Sequence, residues 1–396
     1  MQIHITSDGE NITDIAKKYG TSEENIRNAN ELYGFEPTEG TELLLLTPTR
    51  TYTAQPGDTP ESICLRFGIR KNDLMILNPT LASSELLPGQ TVNLRYGDPP
   101  YGMSAANGYF FKGCSEDRLR LVMPYLTYVT FASAVADEGG VRKSFNDEKL
   151  VRLASEEEKI PLIRVYDRYT ERYQREKDLL PFADGLIALA TDGGYKGIVL
   201  SACELNNSAK EFVDFLMILR KKMIGCDLIL ITEINEQSPL EFSEYADGSV
   251  LYYPKYAMNE PRSFEEGERE ILSDFACRGE SAKTFVDLPA LAMREGRCVS
   301  IGEANAIAMK NRYTINHNES TLLSHFSDRK QGEYRFESLK GIKAMLDLIR
   351  EYGYMGVCFD IMNTPLSQLL MYNSLFKTSY HTNVRSREGC SRAREE

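Results

Sequence analysis

The chain contains no tryptophan; its aromatics are 22 tyrosines and 17 phenylalanines in 396 residues. Any flat aromatic surface that stacks on a ligand must therefore be built from those two residue types. Histidine is nearly as scarce, with four in all, and the eight cysteines include no C-x-x-C pair and lie near no histidine cluster. A structural zinc site needs several such ligands at short spacings, so no metal site is expected and no cofactor is called for. The scattered thiols read as buried, inert side chains. No apolar run approaches the ~20 residues that cross a bilayer, so no membrane span is expected. Met1-Gln2-Ile3-His4-Ile5-Thr6 lacks the basic start and apolar stretch of a secretory signal peptide, which predicts a protein kept in the cytoplasm of the producing cell or exported by a route that needs no such signal. Basic charge is in deficit: 46 Lys and Arg against 58 Asp and Glu give a net charge of −12. That balance disfavours a nucleic acid as partner. The acidic residues are spread along the chain and read as a solvated surface.

At 42% hydrophobic and 26% charged residues, the chain has the composition of a globular protein, and its length predicts two or three domains. The first 95 residues repeat themselves. "SDGENITDIAKKYGTSEENIRNAN" aligns with "QPGDTPESICLRFGIRKNDLMILN" at a constant shift of 48, pairing Gly9 with Gly57, Ile15 with Ile63, Gly20 with Gly68 and Asn30 with Asn78. Each copy reads as a short strand, a Gly turn, a helix with apolar residues at helical spacing, a second short helix and a closing strand. "YGDPPYG" follows as a linker.

These units resemble two tandem LysM modules, at 1–47 and 50–96. The second carries the "PGDT" and "LNP" signatures intact, whereas the first reads "DGEN". The resemblance implies binding of N-acetylglucosamine-containing glycans such as peptidoglycan or chitin. The groove would lie between the first strand–helix loop and the loop after the second helix. In the second module it would involve Gly57, Asp58 and Thr59 with Asn78, Pro79 and Leu81. Gly57 and Asp58 read equally well as a turn and helix cap.

Beyond a linker at 97–106, strands alternate with amphipathic helical stretches. The expected strands are 108–111, 126–132, 161–166, 197–202, 227–233, 249–253, 283–288 and 355–360. Eight strands with intervening helices predict an α/β fold, a (β/α)8 TIM barrel over 107–380 with a small insertion before the last strand. A doubly wound open sheet is the alternative, weakened because no Gly-rich phosphate loop follows any strand. In a barrel, function gathers at the C-terminal strand ends, here Asp167, Ser201, Cys203, Glu233, Tyr252, Tyr253 and Asp360. Residues 381–396 read as a disordered tail.

The barrel resembles glycoside hydrolase family 18, in its spore cortex-lytic and germination branch. "GYFFKG" is similar to the first strand, "VTFASAVADEGGV" to the second, and "IGEANAIAMKN" with "IKAMLDLIREYGYMGVCFDIMNTPLSQLLMYNSLF" follows the branch's order of elements. The resemblance implies a spore coat or cortex location, with spore-coat proteins as potential partners. The family's catalytic strand reads D-x-x-D-x-D-x-E. Its Glu is the general acid, and the substrate's own acetamide is the nucleophile. Aligned without a gap on "YKGIVLSACELNN", Lys196, Val199, Ser201 and Cys203 occupy those four positions. Every acid is missing. Cys203 is a poor proton donor to an acetal oxygen. Glu204 is offset by one residue and turns to the opposite strand face unless a bulge precedes it. Glu233 and Asp360 remain as potential replacement acids. Asp360 also stands where the branch has a tryptophan platform, and Tyr253 or Pro254 falls at a family tyrosine. Tyr252 and Tyr253 are the aromatics left to contact sugar. The expectation is a glycan-binding protein whose family 18-like barrel has lost hydrolysis; a divergent N-acetylglucosaminidase or a structural spore-coat protein are the alternatives.

Overall fold

The structure, a computed structural model, describes residues 1–82, 85–97, 99–167, 173, 175–201, 209–235, 238, 241–252, 262–294 and 297–378. Cys203, Glu204, Tyr253 and the tail at 381–396 lie outside the described residues.

The repeat folds as two βααβ units. In the first, β1 (Gln2–Ile5) pairs antiparallel with β2 (Glu42–Leu45) around helices Ile12–Tyr19 and Glu23–Ala29. In the second, β3 (Arg50–Thr53) pairs with β4 (Thr91–Arg95) around Pro60–Phe67 and Lys71–Leu77. The matched residues do matched work. Gly20 and Gly68 end the first helices in the left-handed region, at φ 63° and 66°, where a side chain would be strained. Asn30 accepts from Leu44 N and donates to Leu44 O and Ile26 O. Asn78 does the same with Asn93 and Leu74. One amide thus ties the second helix to the closing strand in both copies.

The rest is a closed barrel of eight parallel strands. In order around the barrel they are β5 (Met103–Phe110), β6 (Tyr128–Asp137), β8 (Ile160–Asp167), β9 (Gly197–Ser201), β10 (Ile229–Ile234), β11 (Gly248–Leu251), β12 (Thr284–Asp287) and β18 (Gly356–Asp360). β18 returns to pair with β5, which closes the ring. A short strand β7 (Gly140–Lys143) extends β6 as a hairpin that the sequence pattern did not announce. β5 begins at Met103, so residues 103–106, expected in the linker, are barrel strand. Ala105 and Ala106 are buried there, which a solvated linker would not be.

Alternation along the strands sorts the side chains. Tyr109, Tyr128, Leu162, Val199, Ile231, Val250, Phe285 and Cys358, one from each strand, fill the barrel interior. Their neighbours, such as Ile198, Leu200, Leu230, Val286 and Phe359, join the core shared with the outer helices. Each fully buried aliphatic or aromatic side chain contributes roughly 1.5–3 kcal/mol.

Between β12 and β18 the chain inserts an antiparallel sheet: β13 (Leu291–Arg294), β14 (Arg297–Ser300), β15 (Asn316–His317), β16 (Leu323–Asp328) and β17 (Gly332–Glu337), with helix Ile301–Asn311 on it. The first repeat unit is clamped against this insertion. Met309 enters its core beside Ile12, Ile15 and Leu43. Ile315 N donates to Glu39 O at 2.9 Å, and the His317 ring bonds Gly40 O at 2.7 Å.

Two carboxylates of the first unit reach the barrel. Glu31 accepts from Leu366 N at the start of helix Leu366–Leu375, where Pro365 offers no side-chain cap, and pairs with Arg118 at 3.0 Å. Glu42 accepts from Leu339 N at the start of helix Leu339–Glu351. Each carboxylate satisfies an orphan N–H at the positive end of a helix flanking β18.

Gly40 carries this docking: it sits at φ 80°, and a Cβ there would lie 1.8 Å from Ile315 O. Gly40→Ala is expected to undock the first unit. Hydrogen exchange should then lose protection at 37–41 and 312–317 while the barrel strands keep theirs; unchanged protection would refute the clamp. Glu31→Ala and Glu42→Ala should each cost about 0.5–2 kcal/mol in thermal or urea unfolding, the range of a lost helix cap.

Candidate functional site

At the centre of the barrel lies one buried carboxylate, Glu233 on β10. Arg164 on β8 grips it with two bonds, Nε to Oε1 at 2.6 Å and Nη2 to Oε2 at 2.8 Å. The Tyr109 hydroxyl donates to Oε1 at 2.9 Å and the Tyr252 hydroxyl at 3.2 Å. Four donors converge on an acceptor-only group, the pattern of an ionised carboxylate. Burial alone would lower the pKa of Arg164, but the charge and bonds of Glu233 outweigh it and hold the guanidinium protonated. Burial, then the Glu233 charge, pushes both tyrosine hydroxyls well above their ordinary pKa. Neither ionises near neutral pH, so both remain donors.

The pair spans β9. Arg164 stands in register with Val199, and Glu233 with Ser201. Val199 belongs to the interior cluster, and Ser201, two residues on, shares its strand face. The two described motif positions on that face therefore carry no acid. Cys203 and Glu204 fall beyond the described residues.

The other candidates are placed as follows. Asp360 caps its own turn: Oδ1 accepts from Met362 N and Asn363 N, and Oδ2 from the Asn363 amide at 2.7 Å. Asp167 accepts from Tyr173 at 3.0 Å at the end of β8. The tyrosine facing inward at the end of β11 is Tyr252, one residue before the earliest position the alignment offered. Arg164, Tyr109 and Asp287 were not among the expected site residues. Asp287 lies on the strand face of Phe285, and its charge adds to burial in raising Cys358 and to burial and Glu233 in raising Tyr252. Among the described residues, no group of three or more His, Cys, Asp or Glu is arranged to hold a metal. No described helix is long and apolar enough to cross a membrane.

In the second repeat unit, Gly57 turns at φ 86° and Thr59 caps helix Pro60–Phe67 in a reciprocal box with Ser62. Asp58 is not the cap. It locks the turn, accepting from Tyr52 OH at 2.6 Å and Gln55 N at 2.7 Å, and those bonds hold its carboxyl below the ordinary value. Asn78 and Leu81, expected in the glycan groove, are buried: Asn78 is spent on Asn93 and Leu74, and Leu81 lies in the module's apolar core. Pro79 is buried as well, and Gly57 and Thr59 are the exposed residues of that set.

Residues 4–44 and 52–95 match the LysM domain family. The two repeat units are LysM domains. Over 90% of its length the chain is 22% identical to a Bacillus subtilis (strain 168) protein named as a sporulation-specific glycosylase, YdhD, covering 94% of that protein. In three dimensions it is similar to the Bacillus cereus spore cortex-lytic enzyme SleL, with a TM-score of 0.74 at 17% identity, covering 96% of this chain and 100% of that one. The barrel and insertion are also similar to a class V chitinase of Pseudomonas fluorescens, TM-score 0.62 at 15% identity over 69% of this chain and 99% of that one. A family GH18 chitinase of Cycas revoluta gives a TM-score of 0.59 at 13% identity, again over 69% and 99%. The LysM-plus-barrel architecture is therefore that of SleL, and the barrel has the GH18 fold.

Arg164→Met would leave Glu233 charged and unpaired in the barrel interior and is expected to cost about 3–5 kcal/mol in urea unfolding. The double substitution Arg164→Met, Glu233→Leu should recover much of that loss. A single substitution costing under about 1 kcal/mol would mean that the pair does not hold the barrel together.

Proposed function

We propose that this protein holds N-acetylglucosamine-containing cell-wall glycan, above all spore peptidoglycan, through its LysM domains, and that its barrel binds glycan without hydrolysing it. The observation that carries this reading is the state of the acids. Glu233 is taken up by four donors in the barrel interior, Asp360 is occupied by its own turn, and Val199 and Ser201 stand at the inward positions of β9. A family 18 reaction needs a protonated carboxylic acid beside the glycosidic oxygen. In this reading the LysM domains supply the affinity and the strand ends of the barrel a second surface for the glycan. The spore wall is the corresponding location.

A second reading, a divergent N-acetylglucosaminidase, is favoured by the names of the relatives, a cortex-lytic enzyme and a sporulation-specific glycosylase. Asp287 and Asp167 give it carboxylates at strand ends. The test is reducing-sugar release from spore cortex fragments and from chitooligosaccharides, alongside pull-down on the same material. Binding without release is expected, and release gained by Cys203→Glu, Ser201→Asp would indicate a cleft that still seats substrate. Turnover by the natural protein, abolished by Asp287→Asn or Glu204→Gln, would establish the enzyme instead. Absence of any glycan binding would leave a structural spore-coat role.

A further inference from the structure

A cleft of about 390 Å³ lies where the first LysM domain, the insertion and the barrel rim meet. Its size suits a small ligand or a short stretch of polymer. One wall is the LysM loop after the second helix, with Asn30, Glu31 and Phe35. A second is helix Ile301–Asn311, with Glu303 and Asn305. A third is the loop after β18, with Asn363. That last loop follows the C-terminal end of a barrel strand, so the cleft opens on the face where a barrel binds its ligands. By the repeat shift of 48, the first wall corresponds to residues 78–83 of the second LysM domain, one side of the expected glycan groove.

The lining has the chemistry of a sugar site. Phe35 and Met362 offer apolar surface, and amides and carboxylates offer hydrogen bonds. Two polar atoms buried in this wall, Thr364 Oγ1 and Gln368 Oε1, make no hydrogen bond among the described residues. The charged groups of the lining are mostly engaged or neutralised. Burial, then the Glu268 charge, pushes the Glu337 carboxyl well above its ordinary value, and burial raises that of Glu42. Arg118 is engaged by Glu31, Ile361 O and Thr364 O, and His317 by Ser324 and Gly40 O. Such a lining suits a ligand rich in hydroxyl and amide groups.

We propose that this cleft is a subsite for N-acetylhexosamine units, through which one glycan chain runs from the first LysM domain to the barrel rim. The proposal rests on the glycan-binding reading above and adds to it a place. Because the LysM domain is clamped rather than tethered, the two ends of that path are fixed relative to each other. Long chains should then bind more tightly than short ones through continuous contact.

The test is calorimetric titration of the full chain with neutral chitooligosaccharides from tetramer to octamer, with hydrogen exchange on the same complexes. The octamer should bind about tenfold more tightly than the tetramer and protect segments 30–35 and 301–309. Ala306→Trp, on the half-buried face lining the cleft, should remove the octamer's gain and that protection while sparing tetramer affinity. Asn305→Ala, which adds no bulk, should reduce the gain if Ala306→Trp does not fold. Tetramer binding with no octamer gain, or a gain unchanged in both variants, would overturn the subsite and leave the glycan-binding reading intact. Absence of binding at every length would overturn both.

Discussion

The barrel is organised around a single ion pair. Arg164 and Glu233 come from β8 and β10, and the tyrosines that complete the cluster come from β5 and β11, so four of the eight strands meet at one carboxylate. A charge in a packed interior is tolerated only when its bonds are complete, because each missing donor leaves a desolvated lone pair. Here the donors are fixed by strand register and cannot relax without shifting a strand. The layers below, from Leu162 and Val199 to Phe285, are apolar and adjust more freely. The pair thus sets the register that the apolar layers fill, and it sets the electrostatics of everything above it.

The same principle operates at the other junction. The first LysM domain is held to the barrel by carboxylates on helix N-termini, with apolar contact beside them: Met309 enters its core, and Leu44, Leu46 and Ala29 join the core of the barrel. Both capped helices flank β18, the strand that closes the ring. Docking and barrel closure are therefore coupled through one strand and its two helices. A tethered binding module raises local concentration. A clamped one also fixes direction, which matters for a ligand that is itself a long, stiff chain.

The architecture was legible in the sequence because its cues are local. Gly20 and Gly68 recur because a left-handed cap needs glycine, and Asn30 and Asn78 because one amide must satisfy a helix end and a strand together. Strand and helix patterns alternated often enough to count eight barrel strands. The docking surface was not legible. Glu31 and Glu42 look like any members of an acidic surface, and nothing local distinguishes Gly40 from the other turn glycines. The repetition of Asn78 is explained by structure, since its amide ties the helix end to the closing strand. The central pair does leave a trace. "PLIRVY" and "LILITEI" each contain one charge inside an apolar strand, of opposite signs and two strands apart. Buried charges are rarely left unpaired, so each implied the other.

That pair also bears on which side chains the inner face of β9 can carry. Arg164 reaches Glu233 across the inner face of β9, where Val199 and Ser201 are small and uncharged. A carboxylate at 201 would stand beside Glu233 in register, roughly 4.8 Å away strand to strand. Two carboxylates that close cannot both ionise freely, and one would keep its proton or compete for Arg164. The guanidinium and an acidic β9 are therefore competing solutions for one space. With Arg164 and Glu233 joined, the interior is satisfied without any acid on that strand, and Val199 and Ser201 are the residues that such an interior accommodates. The buried pair and the uncharged inner positions of β9 are two sides of one packing arrangement.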